Sequence, residues 1–135
     1  MDGTNDVRFV RIGLLVLGLY ELGLGLWMAV SPGSFFDLVG GFGERNDHYI
    51  RDMASWEAAL GIAALVAVSR PGWRVAVLGL AAIHFGLHAI NHLVDVSEAD
   101  PEWVGPFDLG SLALGALVLG WLLTRAHRTA PGGVR

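Results

Sequence analysis

His84, His88 and His92 stand four residues apart in the stretch HFGLHAINHLVDV, and Asp95 follows three positions later. On a helix advancing about 100° per residue, His88 falls near 40°, His92 near 80°, Asp95 near 20° and Asn91 near −20° relative to His84. The polar side chains therefore share one stripe, while Ile83, Leu87, Ile90, Leu93 and Val94 take much of the remaining arc. Histidines spaced by four present two ring nitrogens on one face, and carboxylates from facing helices can complete a metal site. Mixed nitrogen and oxygen ligands suit zinc, iron, copper or manganese, and the residue types do not select among them. Haem ranks below a non-haem metal. Two axial histidines normally come from two helices, whereas these three lie on one, which leaves a single axial histidine as the haem alternative.

Two carboxylates can meet the stripe. Glu21 sits in an apolar run with Leu14, Gly18, Gly25 and Met28 on its side, and Glu57 sits in ASWEAALG. The glycines beside Glu21 remove side-chain bulk, so a neighbouring helix can come close. Counting depth from the ends of the apolar runs places Glu21 level with His84 and Glu57 between His88 and His92. The candidate metal ligands are thus His84, His88, His92, Glu57, Glu21 and Asp95. The same residues, ordered from mid-depth to one end, also form a series able to relay protons. No matching series reaches the opposite end, which favours a pocket open on one side over a complete channel. A third reading is structural: the stripe is a satisfied buried pairing, or docks another membrane protein or a second copy through glycine-rich helices.

The elements that position these residues are dictated by composition. Hydrophobic residues make up 53% of the 135-residue chain and charged residues 16%, with a mean hydropathy of +0.52. Such a balance belongs to a bilayer protein. Four apolar runs approach the ~20 residues needed to span a core of about 30 Å: Ile12–Val30, Met53–Ser69, Val75–Val94 and Val104–Leu123. Tyr49 and Ile50 can extend the second. Turn-rich breaks separate them, and the tight RPGW turn predicts a hairpin of the second and third spans. The expected fold is an all-α, integral membrane, four-helix antiparallel bundle forming a single domain over residues 1–135.

Arginine distribution orients the bundle. Arg8, Arg11, Arg70, Arg74, Arg125, Arg128 and Arg135 flank one side, and only Arg45 and Arg51 the other. By the positive-inside rule both termini are cytoplasmic in a multi-pass protein of the cell membrane. The opposite face is then acidic, carrying Asp37, Glu44, Asp47, Asp52, Asp95, Glu98, Asp100, Glu102 and Asp108. The first span is read as retained. Its apolar run exceeds a usual signal-peptide core and is interrupted by Glu21. A net charge of −4 without a basic stripe argues against nucleic-acid partners. With no cysteine there is no disulfide or thiolate chemistry from this chain's residues.

Other residues read more simply. Asp108, two after Pro106, suits a first-turn acid of the fourth helix. Asp52 has a similar capping role or pairs with Arg51, and His48 is a loop residue at the interface. His127 belongs to the polar tail. The five tryptophans lie near span ends and suit interface anchoring. Gly110, Ser111, Ala113 and Gly115 suggest a small-residue packing surface, and Ser31-Pro32-Gly33 a helix stop.

YELGLGLWMAVSP closing the first span, HYIRDMASWEAALGIAALVA opening the second and HAINHLVD closing the third resemble the small four-helix DoxX-like membrane proteins, particularly actinobacterial members. These stretches cover roughly a third of the chain. The resemblance implies a four-helix fold and an accessory role, since DoxX relatives include membrane subunits tied to quinone-linked sulfur oxidation. It implies no particular reaction, and the sequence carries no enzyme motif such as a P-loop or nucleophile elbow. The combined expectation is a membrane accessory subunit whose outward-opening His/carboxylate pocket binds a metal or redox cofactor.

Orientation is testable because the chain has no native cysteine. A cysteine introduced at Asp100 should react with an impermeant thiol label applied outside cells. One introduced at Arg70 should react only after permeabilisation. Labelling of the Arg70 turn from outside reverses the assignment.

Overall fold

A computed structural model describes residues 3–129. Five α-helices account for most of it: α1 (Gly3–Val30), α2 (Pro32–Leu38), α3 (Asp47–Ser69), α4 (Arg74–Val94) and α5 (Val104–Thr129). Helices α1, α3, α4 and α5 are long and apolar enough to cross a membrane. The fold is an all-α four-helix bundle, and the chain is a small multi-pass membrane protein in contact with lipid. The side chains left on its outer surface agree. Leu87 is 61% exposed, and Ile83, Ile90, Leu93 and Val94 are exposed beside it, where hydrocarbon is the favourable neighbour.

Each long helix contains its expected apolar run, but three extend further. Helix α1 begins nine residues before Ile12, α3 begins six before Met53, and α5 ends six after Leu123. Charged residues end a hydrophobic run without ending a helix. Asp6, Arg8, Arg11, Arg125 and Arg128 all continue regular turns, because their backbone propensity is compatible with helix. His48 correspondingly lies in α3 rather than a loop, exposed and 3.5 Å from Asp52, one turn further on. That pairing replaces the expected Asp52–Arg51 contact. Arg135 lies outside the described residues.

Local chemistry sets the remaining boundaries. Asn46 caps α3, its side-chain oxygen accepting from the Tyr49 N–H at 3.1 Å. A 3₁₀ turn at Pro71–Trp73 joins α3 to α4. Arg74 closes that turn by donating to the carbonyls of Ala67 at 3.2 Å and Val68 at 3.0 Å, which the end of α3 leaves unpaired. Ser31-Pro32-Gly33 does stop α1, yet Pro32 then serves as the first-turn proline of the short α2. Ser34 of α2 accepts from the Trp27 indole N–H at 2.8 Å.

The closest pairings are α1 with α3 and α4 with α5, although α3 and α4 are the helices joined by the tight turn. Small residues explain the first pairing. A Cβ on Gly25 would lie 2.8 Å from the Ala54 carbonyl oxygen and the Ala58 nitrogen, and one on Gly61 would lie 2.6 Å from the Leu22 nitrogen. Gly18 faces Gly61 and Leu65 in the same way. Between α4 and α5, Gly115 receives the Phe85 ring, whereas Gly110 faces open space and packs nothing. The expected small-residue surface on α5 is therefore confined to part of that stretch.

Two apolar clusters fill the interior. The larger joins Val10, Leu14, Leu17, Leu60, Ala64, Leu78, Ala81 and Leu122 towards the end where α1 starts and α5 finishes. The smaller joins Met28, Ile50 and Ala54 with Phe35 and Phe36 beneath α2. At the first end, Asp6 is buried and its carboxylate pairs with the Arg125 guanidinium, joining the beginning of α1 to the end of α5. The sequence had offered no reason to single out Asp6.

The close approach of α1 and α3 makes a direct prediction. Gly25→Ala should lower stability by about 1–3 kcal/mol through backbone overlap. Gly23→Ala, on the same helix with nothing near its added methyl, should be neutral or stabilising by up to ~1 kcal/mol. Denaturant titration of the two variants in the same detergent checks the difference, and equal midpoints would remove the close packing as an explanation for the glycine.

Candidate functional site

Between the two apolar clusters lies a cavity of about 570 Å³. Glu21, Glu57, His84, His88, His92 and Asp108 line it together with Tyr20, Phe35, Phe36, Phe42, Tyr49 and Phe85. Its position follows from helix lengths. Glu21 is nine residues from the end of α1, His84 ten from the end of α4, and Glu57 ten from the start of α3. At ~1.5 Å per residue all three stand roughly 15 Å from the same end of the bundle, near the middle of a ~30 Å hydrocarbon core.

Glu57 accordingly meets His84, with Oε1 3.7 Å from Nε2, rather than falling between His88 and His92. The expected register was off by six residues, nearly two turns, because the apolar run starts at Met53 while the helix itself starts at Asp47. Glu21 is 1% exposed and Glu57 4% exposed. Both oxygens of Glu21 and Oε2 of Glu57 are buried without a hydrogen-bond partner.

The facing of these two carboxyls has a sequence origin. Gly18-Leu19-Tyr20-Glu21-Leu22-Gly23-Leu24-Gly25 and Ala54-Ser55-Trp56-Glu57-Ala58-Ala59-Leu60-Gly61 share one pattern: small, variable, aromatic, Glu, variable, small, Leu, Gly. In an antiparallel pair the first small residue of each motif meets the last glycine of the other, and the glutamates are left opposite each other. The observed contacts obey this arrangement, with Gly18 against Gly61 and Gly25 against Ala54. The motif is thus a short inverted repeat with a polar residue at its local two-fold. Comparing the two spans with each other, residue by residue, would have revealed the pairing.

On α4 the ring nitrogens converge further along the stripe. His88 Nε2 and His92 Nε2 are 3.2 Å apart, and the tilted rings of His84 and His88 have centroids 5.5 Å apart. His92 turns its other nitrogen, Nδ1, towards Asp108 Oδ2 at 3.9 Å. Asp108 is therefore a cavity residue, which its expected role at the start of α5 had concealed. It lies in the second turn of the helix, one turn before Ser111, which also lines the cavity. Asp95 does not join the group. It is the exposed C-cap of α4, past the point where the helical angle carries a side chain inward. Asn91 borders the cavity from an exposed position. Trp56 lies edge-on to His84 at 5.6 Å, so one of the expected interface anchors instead helps to hold the site.

Two connecting loops roof the cavity. The Asp100 N–H donates to the Gly41 carbonyl at 2.9 Å and Phe42 pairs with Ala99 in an isolated bridge. The Phe42 ring then sits edge-on to His92, with centroids 4.7 Å apart. Among the described residues no three His, Asp or Glu side chains gather closely enough to hold a metal ion by themselves. The ligand candidates divide instead into an inner set, Glu21, Glu57 and His84, and an outer pair, His88 and His92, backed by Asp108.

No protein-family model, curated protein or solved structure matches the chain. Its function must be read from this cavity.

The two glutamates should respond differently to substitution. Glu21→Gln removes a buried carboxyl whose oxygens lack partners, and stability should hold or rise. Glu57→Gln deprives His84 of its carboxylate and should lower stability by about 1–3 kcal/mol. Thermal melts of both variants in one detergent test this ordering, and a larger loss for Glu21→Gln would contradict the assigned partners.

Proposed function

We propose that this protein is an accessory subunit of the cell membrane, with both termini cytoplasmic, that binds a transition-metal ion in a cavity opening outward. The observation that carries the reading is the 3.2 Å separation of His88 Nε2 and His92 Nε2. Two nitrogens bound to one tetrahedral ion at ~2.0–2.1 Å would stand roughly 3.3–3.4 Å apart. In the metal-free protein the two nitrogens share a hydrogen bond, and exchanging its proton for a metal ion would need little movement of either ring. Asp108 Oδ2 stands 3.9 Å from His92 Nδ1, a buried nitrogen without a hydrogen-bond partner, and a small approach on metal binding would complete the carboxylate–histidine–metal arrangement that fixes a ring tautomer and raises ligand basicity.

Two protein nitrogens leave coordination positions facing the cavity, for water or an incoming donor. That openness supports binding or transfer more than a closed structural site. The mixed imidazole environment suits zinc, copper or iron over magnesium or calcium. The resemblance of the span ends to DoxX-like proteins supports an accessory role beside a larger membrane complex. The seven-to-two arginine asymmetry supports the orientation.

Metal analysis and an absorption spectrum of protein purified in mild detergent test the proposal. Near-stoichiometric zinc, copper or iron is expected, or saturable uptake of one of them after chelation. His88→Ala and His92→Ala should each abolish uptake, and Asp108→Asn should weaken it about 10- to 100-fold. A Soret band would transfer the site to haem. Unchanged metal content in all three variants would end the ligand assignment.

A further inference from the structure

The inner carboxyls are not explained by a metal at His88 and His92. Glu21 Oε1, Glu21 Oε2 and Glu57 Oε2 are three buried acceptors without donors, and they converge from the two halves of the inverted repeat. Among the described residues no lysine or arginine lines the cavity, while Glu21, Glu44, Glu57 and Asp108 all do. Among the described residues His84 is the basic group nearest the pair, its Nε2 3.7 Å from the remaining oxygen, Glu57 Oε1. The inner wall of the cavity therefore carries more carboxyl oxygens than donors to meet them.

The rest of the lining is largely aromatic. Tyr20 and Phe85 stand level with the glutamates, and Met28, Phe35, Phe36 and Tyr49 line the cavity nearer the roof. Aromatic faces attract cations and accommodate apolar rings. A volume of about 570 Å³ lies within the range of roughly 300–1,000 Å³ typical of small-molecule pockets.

We propose that the inner half of the cavity is a binding site for a primary ammonium carried on an apolar, preferably aromatic, body. A primary ammonium has three N–H donors and no acceptor, matching in number the three oxygens that lack partners. Its positive charge meets the carboxyl pair, and its apolar part meets the aromatic wall. This site goes beyond the proposed metal function and does not require it, because the glutamates and His88–His92 are separate groups of atoms.

Titrating phenethylamine into chelator-treated protein in phosphatidylcholine nanodiscs tests the site, read by calorimetry and by tryptophan fluorescence, with Trp56 beside His84 as the reporter. Saturable binding is expected. Phenylethanol, without the charge, and the N,N,N-trimethyl analogue, without N–H donors, should each bind at least about tenfold more weakly, equivalent to ~1.4 kcal/mol. Glu21→Gln should weaken phenethylamine by a similar factor, whereas His88→Ala should leave it unchanged while abolishing metal uptake. Failure of the metal reading and failure of this one are thereby separable. Replacing half the lipid with phosphatidylethanolamine distinguishes the source of the ammonium. Competition would assign the site to an aminolipid headgroup, and no competition to a soluble amine. Equal affinity for the trimethyl analogue in the wild-type protein would overturn the proposal, without relying on the folding of any variant.

Discussion

The contact between α1 and α3 governs the rest of the molecule. Helices whose backbones meet at Gly18, Gly25, Ala54 and Gly61 leave no room for lipid between them. Whatever residue lies at the middle of that seam is buried, and here it is a glutamate on each side. Were the seam built of leucines, the helices would separate and each carboxyl would face hydrocarbon, where an ionisable group carries a penalty of at least ~2.5 kcal/mol. Placing the two acids against each other, with His84 as a third member, makes a polar interior possible at mid-membrane depth. The α4 stripe then has something to face, and α5 closes the far side with Asp108.

This arrangement divides the bundle along its length. One half is a packed apolar plug whose buried residues leave no polar side chain until Asp6 and Arg125 at its far end. The other half contains the cavity and is covered by α2 and two loops rather than by helix packing. A ligand or ion can therefore approach the histidines past Phe42 and the roof, but finds no comparable polar route through the plug. Among the described residues, the polar side chains of the interior are thus gathered in one half of the bundle, with the Asp6–Arg125 pair apart from them at the other end.

Much of this was legible in the residue order. Apolar run length and turn chemistry marked the four spans, and the spacing of Leu14, Gly18, Glu21, Gly25 and Met28 identified the buried face of α1 without reference to coordinates. The inward set of α4 histidines and the lipid-facing Leu87 followed from the 100° step alone. Errors arose where an apolar boundary stood in for a helix boundary. The apolar boundary at Met53 put Glu57 nearly two turns too shallow and attached it to the wrong histidines. Extending the helical angle past Val94 drew Asp95 inward although the backbone had already reached its cap. Asp108 was misjudged for a different reason. A carboxylate near a helix start has a sufficient local explanation, so nothing in the sequence demanded the long-range one.

The ion pair of Asp6 and Arg125 joins residues separated by 119 positions. During synthesis Asp6 emerges at the start of α1, ahead of the apolar run that begins at Ile12, long before its partner exists. Until α5 inserts, that carboxylate has no guanidinium to meet, and the start of α1 lacks the tie that holds it in the finished bundle. Closure of the ring of helices is thus reported to the first span by the last. An assembly intermediate of three helices should therefore hold the start of α1 loosely, with its depth fixed only when the last span arrives.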